Sequence, residues 1–210
     1  MASAPLTADQ FLAAASHRRS VYGLKGTSKL SDAQVQRIIE QVLSFAPSSY
    51  NTQPVRITLI TADKHKQFWD VISAAAEPVL KAAGDHVWNH MSGLFAAFRA
   101  AYGSIVFWES GSSVREAAEK HKSAAHMFAE FSDHANGMNQ IMVWTALELE
   151  GLGANLQHLN AIPAVEAAIK EFCGVPDDYK LKAHMNYGDE AQPHPEKPSK
   201  LPFSETLKVL

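Results

Sequence analysis

The sequence predicts an α+β (mixed α/β) fold around one sheet. Apolar stripes at helical spacing dominate its 210 residues, and about three or four short strand-like runs lie between them. An apolar share of 46% is ample for a packed core, and the length suits a single domain over 1–210.

Helix signals come first. Thr7 and Gln10 form a capping-box pattern ahead of "FLAAAS", which predicts a helix over about 8–16. Ser31 and Gln34 repeat that pattern, and Val35, Ile38, Ile39, Val42 and Leu43 make one apolar stripe that Pro47 should stop. "PVRITLIT" then alternates Val55, Ile57 and Leu59 with polar neighbours, as a strand does, although Ile60 breaks the pattern. Residues 63–100 read as helix interrupted by Pro78 and Gly84, and "YGSIVFW" at 102–108 reads as a short buried strand.

Ser113 and Glu116 open a further helix reaching about 128. Another over 133–150 is expected to face Met138, Ile141, Met142, Thr145 and Leu149 inward and to end at Gly151. Pro163 suits the first turn of a helix that Gly174 ends. "KLKAHMNY" alternates Leu181, Ala183, Met185 and Tyr187 as a strand. From Asp189 onward four prolines rule out a packed helix, so this tail must lie along something.

Composition excludes several function classes. Nineteen basic against 22 acidic residues give a net charge of −3, so nucleic acid is not an expected partner, and any anion site must be local. The one cysteine, Cys173, rules out an intramolecular disulfide or a Cys-rich metal site and reads as a packing residue. The start, "MASAPLTADQ", lacks a secretory-signal pattern, and no apolar run approaches the roughly 20 residues that span a bilayer, so no membrane partner is expected. "GLGANLQ" at 151–157 lacks the third glycine and follows a helix, so it is not a dinucleotide fingerprint. His86, His90, His121, His126 and His134 read as solvated helix faces, and no metal site is expected. Trp88, Phe95 and Phe98, with "YGSIVFW", read as core, a substrate-pocket wall being the alternative.

Two polar clusters are left that packing does not explain. Arg18, Arg19 and Ser20 lie just past the first helix, where cations could simply complement the helix dipole or hold an anion. "APSSYNTQPVR" crowds Ser48, Ser49, Asn51, Thr52 and Gln53 between a helix stop and a strand, the place for a turn or a ligand loop.

Here the chain resembles a family. A first helix ending in R-R-S, and a second leading into P-S-S-x-N-x-Q-P before a strand, are similar to the nitroreductase family of FMN-dependent oxidoreductases. "ALELEGLGANLQHLN", "FCGVPDDYKLKAHMNYG" and the tail "PHPEKPSKLPFSETLKVL" agree with it, and the wording is closest to its Frm2-like branch. Val55 stands where the family often carries an aromatic residue.

The resemblance implies a central, mostly antiparallel sheet flanked by helices, with a tail over 189–210 that wraps the partner of a homodimer. It implies FMN as cofactor and NADH or NADPH as donor. A nitroaromatic, quinone or similar small molecule would be the acceptor, in ping-pong hydride transfer through flavin N5. Arg18, Arg19 and Ser20 would hold the flavin phosphate, joined by Lys197 or Lys200. Ser48 and Ser49 belong to the loop in which Asn51 and Gln53 would meet the ribityl chain and ring edge, and Gln157 and His158 would offer backbone N–H groups near N5. No side chain is assigned as catalytic, since the flavin carries the chemistry. A flavin-binding sensor in lipid signalling or oxidative-stress response stays open as an alternative, and so does an unrelated helical ligand domain. A cytoplasmic location is expected, with a nuclear one left open.

Overall fold

The computed structural model describes residues 7–210, and the stretch read for a secretory signal lies partly outside them. Both capping boxes form. Thr7 caps α1 (Ala8–His17) and Ser31 caps α2 (Asp32–Phe45), each with its Gln at N3 reaching back to the cap. Then follow β1 (Val55–Thr61), α3 (Ala62–Ala82), α4 (Asp85–Arg99) and β2 (Gly103–Ser110). The chain continues through α5 (Gly111–Lys120), α6 (Phe128–Leu149), β3 (Gly153–Gln157), α7 (Pro163–Cys173), β4 (Tyr179–Gly188) and a short α8 (Phe203–Thr206).

The four strands form one sheet in the order β1-β2-β4-β3, every pair antiparallel. All eight residues of β2 are buried, because helices cover both faces. On one face Ile105, Phe107, Met185 and Tyr187 meet Val35, Ile39 and Val42 of α2 and Val143, Trp144 and Leu147 of α6. On the other, Ile60, Val106 and Trp108 meet Phe68, Trp69 and Ile72 of α3, Phe95 and Phe98 of α4, and Val165 and Ile169 of α7. Ile60 therefore breaks the alternation of β1 because it serves the second face. Phe95, Phe98, Phe107 and Trp108 are core, with Trp88 and Tyr102 half-buried against it, and burial pushes the Cys173 thiol up to about 12, as expected of a packing residue.

Several expectations need correction. Pro78 does not interrupt α3, because Pro78 and Ala74 lie on its exposed side, where the carbonyl that proline cannot serve meets water. The helix expected from Ser113 to about 128 starts two residues earlier, with Ser110 as its cap, and breaks at His121. The inner face of α6 is not the apolar stripe. Ile141 and Leu149 are exposed, while Asn136, Asn139 and Glu148 are buried beside Val143, Trp144 and Leu147. Asn136 and Glu148 are tolerated because they are bonded, Asn136 donating to the Trp108 carbonyl and Glu148 accepting from Arg19 and Trp144. Asn139 donates to the Ala135 carbonyl, but its Oδ1 has no partner among the described residues.

In β4 the register shifts, so that Phe107 faces Ala183 while Trp108 faces Leu181. This bulge at Lys182 sends Leu181 to the second face and leaves Met185 and Tyr187 on the first, so the four apolar residues do not share a side. Finally, "GANLQ", which shows no strand alternation in the sequence, is an edge strand. Val21, just after Ser20, lies along its outer edge, its N–H donating to Ala154 O at 2.8 Å and its carbonyl accepting Asn155 Nδ2, while Leu24 bridges to Glu190 beyond β4.

Candidate anion and flavin site

The end of α1 and the Pro-rich tail together enclose a cavity of about 620 Å³. Arg18, Arg19 and Ser20 line it from one side, Lys197 and Lys200 from the other. Five expected site residues thus meet in one place, although 177 positions separate Ser20 from Lys197 in the chain. Four of the five are cations, the local positive field that a net negative chain needs to hold an anion.

At Arg19 the helix-end reading of the arginine pair is visible. Arg19 Nη1 donates to the carbonyls of Ser16, His17 and Arg18 at 2.6, 3.2 and 2.7 Å, terminating α1 as a cation at a helix C-terminus does. Its Nε is buried without an acceptor among the described residues. The Arg18 guanidinium lies 4.3 Å above the Trp144 ring and makes no hydrogen bond to any described residue. A buried orphan donor and a stacked, unsatisfied guanidinium beside two lysines fit a phosphate monoester.

The loop between α2 and β1 is held in unusual backbone. Tyr50, Asn51 and Gln53 have φ of 55°, 52° and 48°, in the left-handed region that non-glycine residues seldom enter. Ser48 supports the shape: its Oγ accepts the Gln53 N–H at 2.9 Å and its carbonyl accepts the Asn51 N–H at 2.9 Å. Ser49 opens the short turn whose carbonyl accepts the Thr52 hydroxyl at 2.7 Å. The Asn51 and Gln53 amides find no partner among the described residues and are exposed. Strain maintained around free polar side chains points to a binding role. None of the residues lining the cavities at Ser48, Ser49, Asn51 and Gln53 also lines the arginine cavity. Within one chain, then, the two clusters are apart.

Gln157 ends β3 and His158 follows it, exposed. A buried polar chain ties this point to the rest. His65 Nδ1 pairs with Ser104 Oγ at 3.0 Å, and Ser104 Oγ donates to Asn186 Oδ1 at 3.1 Å. Asn186 Nδ2 donates to Asn155 Oδ1 at 3.0 Å, which also accepts Gln157 Nε2 at 2.9 Å. Asn155 Nδ2 donates in turn to the Val21 carbonyl at 2.9 Å, so Gln157 is linked to the segment that carries the arginines. The contacts of Asn155, Trp144, Glu148 and His194 with the arginine segment span well over a hundred residues. Only the four-residue spacing of Trp144 and Glu148 on one helix face could have paired any of them in advance.

The profile of the nitroreductase family matches residues 15–189, most of the chain. The chain belongs to the nitroreductase family. Among its relatives, the nitroreductase FRM2 of Saccharomyces cerevisiae is 31% identical over 180 residues, covering 85% of this chain and 86% of that protein. The nitroreductase CinD from Lactococcus lactis, solved with chloramphenicol, is 30% identical with a TM-score of 0.81, covering 95% and 99% of the two chains. A Desulfovibrio desulfuricans structure containing FMN, 22% identical over 97% of this chain and 98% of its own, shares the fold at a TM-score of 0.66. The expected mixed α/β fold with an antiparallel sheet is the fold observed, and the family is one of oxidoreductases. Among the described residues no helix is long and apolar enough to cross a membrane.

Proposed function

We propose that the chain is an FMN-dependent oxidoreductase that passes electrons from NADH or NADPH to a nitroaromatic, quinone or similar small acceptor. The cationic cavity carries this reading: it gathers Arg18, Arg19, Ser20, Lys197 and Lys200, and leaves Arg19 Nε without an acceptor. FMN, when bound, would supply hydride acceptance and release at its ring. The chain's own part is to hold it. Arg18 offers a forked donor fixed by stacking on Trp144, Ser20 a hydroxyl, and Lys197 or Lys200 a point charge from the tail. Gln157, its side chain braced by Asn155, and His158 would offer their backbone N–H groups to the ring's reactive edge. That CinD has been solved with chloramphenicol and with 4-nitrophenol supports a flat nitroaromatic acceptor.

The separation of the Ser48–Gln53 loop from the arginine cavity supports a homodimer in which the loop of one chain completes the site of the other. Leu43 and Phe45 on and beside α2, and Ile141 and Leu149 on α6, are exposed apolar groups, as are Leu201, Phe203, Leu207 and Val209 of the tail. Such a set suits coverage by a second copy. The decisive experiment is anaerobic stopped flow. The purified protein should be yellow, release FMN on heating, bleach rapidly with NADH or NADPH and recover its colour with a nitroaromatic. Colourless protein that ignores added FMN would refute the reading; bound flavin that reduces sluggishly would favour a sensor.

A further inference from the structure

Directly behind the arginine cavity lies a cluster of ionisable groups. Glu148, in the last turn of α6, is 1% exposed. Its Oε2 accepts the Arg19 N–H at 2.7 Å and its Oε1 the Trp144 indole N–H at 2.7 Å. The same indole donates to the Arg19 carbonyl at 3.1 Å, and its face carries the Arg18 guanidinium. Glu148 therefore fixes both arginines, one by its backbone and the other through the ring beneath it.

The tail is tied to the same carboxylate. His194 Nε2 stands 3.8 Å from Glu148 Oε2 and 2.9 Å from the His17 carbonyl, while its Nδ1 lies 2.7 Å from Glu190 Oε1. Both ring nitrogens thus face groups that, with Glu190 ionised, only accept, and only a doubly protonated imidazole satisfies both. The His17 ring stacks on His194 with centroids 4.5 Å apart. His17 and His194 adjoin Ser16, Arg18 and Pro195, which line the cavity. A metal ion is a poorer occupant. The ligand atoms of His17, Glu148 and His194 lie within 4.8 Å of one another, but the two rings are inclined by only 10°, and a shared ion must lie in the plane of both.

We propose that Glu148 is the positioning residue of the anion cavity, and that binding of a phosphate monoester there is accompanied by uptake of a proton shared between Glu148 and His194. The inference rests on the FMN reading and deepens it. A phosphate dianion beside Arg18 and Arg19 adds negative charge next to a buried carboxylate, and the cheapest compensation is to neutralise that carboxylate or keep His194 charged. The groups facing Glu148 are Arg18, Arg19 and His17 from the end of α1, Trp144 from its own helix, and His194, backed by Glu190, from the tail. Burial pushes the Glu148 carboxyl up to about 7, and the bond to the His17 carbonyl, with Glu190, raises His194.

Affinity should accordingly fall as pH rises from 7 to 9, where the second ionisation of a phosphate monoester, near pH 6, is already complete. At the limit of one proton taken up, the loss is about tenfold per pH unit. Calorimetric titration with FMN, in buffers of differing ionisation enthalpy, counts the protons. At pH 8, where Glu148 is mostly ionised before the ligand binds, uptake approaching one is expected for FMN and none for riboflavin, which lacks the phosphate. Glu148→Gln should lower the uptake by more than half and flatten the pH profile; His194→Gln, on the accessible tail, should also lower it and does not depend on the buried variant folding. Glu148 acting only as structural support would weaken binding equally at every pH. Uptake equal for FMN and riboflavin, or unchanged in His194→Gln, overturns the linkage alone. Failure to bind FMN at any pH overturns the functional reading and the linkage with it.

Discussion

Replacing Arg18 by alanine tests the anion site with the least damage to the fold. Arg19 is the worse choice, because its guanidinium also closes α1 through three carbonyls. Arg18 is half-buried and, apart from the stack on Trp144, its side chain is free. A forked grip on phosphate makes two charge-assisted bonds, each worth about 1.5–3 kcal/mol, or about 3–6 kcal/mol together. At about 1.4 kcal/mol per decade, FMN affinity should drop by roughly two to four powers of ten. Arg18→Lys keeps the charge but loses the fork and the stack, and should recover only part of this. The assay is fluorescence titration with FMN and with riboflavin, alongside a melting curve of the flavin-free protein. Riboflavin affinity and the melting curve should barely move, while the preference for FMN collapses. An unchanged FMN-to-riboflavin ratio in Arg18→Ala would refute phosphate binding at this cavity.

Asn51→Ala should weaken FMN binding about tenfold, the loss of one hydrogen bond, without unfolding the chain. Asn51→Gly, which suits the φ of 52°, should show the same affinity loss, and an unfolded Gly variant would indict a structural role for the loop. FMN at a hundred times its Kd should stabilise the protein by about 2.7 kcal/mol, read as a rise in melting temperature that riboflavin fails to match. Ile141→Glu should shift sedimentation from dimer toward monomer; an unchanged dimer would place the interface elsewhere. Burial depresses His65 to about 4 and His184 to about 3, so both are neutral in the fold at pH 7. Below about pH 6.5 each of these histidines takes up a proton in the unfolded chain only and so lowers stability by up to about 1.4 kcal/mol per pH unit as pH falls, while Glu148, raised to about 7, offsets one such contribution down to about pH 4.5. Urea midpoints at pH 7.5 and 5.0 measure this, and equal midpoints would contradict it.

Where local chemistry decides structure, the sequence was readable. Both capping boxes, the two-faced strand β2 and the Pro163 and Gly174 limits of α7 depend on neighbours a few residues away. Two of the failures share one cause, a long-range partner. Gly153–Gln157 does not look like a strand, because its inward Asn155 is stabilised by Asn186 and by the Val21 carbonyl, not by apolar packing. The inner face of α6 was misassigned because Glu148 and Asn136 are satisfied by residues 129 and 28 positions away. A bulge, unmarked by any glycine or proline, turned Leu181 over. In the site, the residue types of the cationic cavity were legible through the family resemblance. The supports beneath it, Trp144, Glu148 and His194, offer no local signature beyond the four-residue spacing of the first two.

The short run from Val21 to Leu24 has a consequence outside the chemistry. Its first residue lies along the border of β3, where unpaired amides would otherwise invite a foreign strand. The same few residues hang from Arg18 and Arg19, whose anchorage is Glu148. Damage to that anchorage would do more than loosen a ligand: it would bare a sticky selvage, and clumping in storage would be an early symptom.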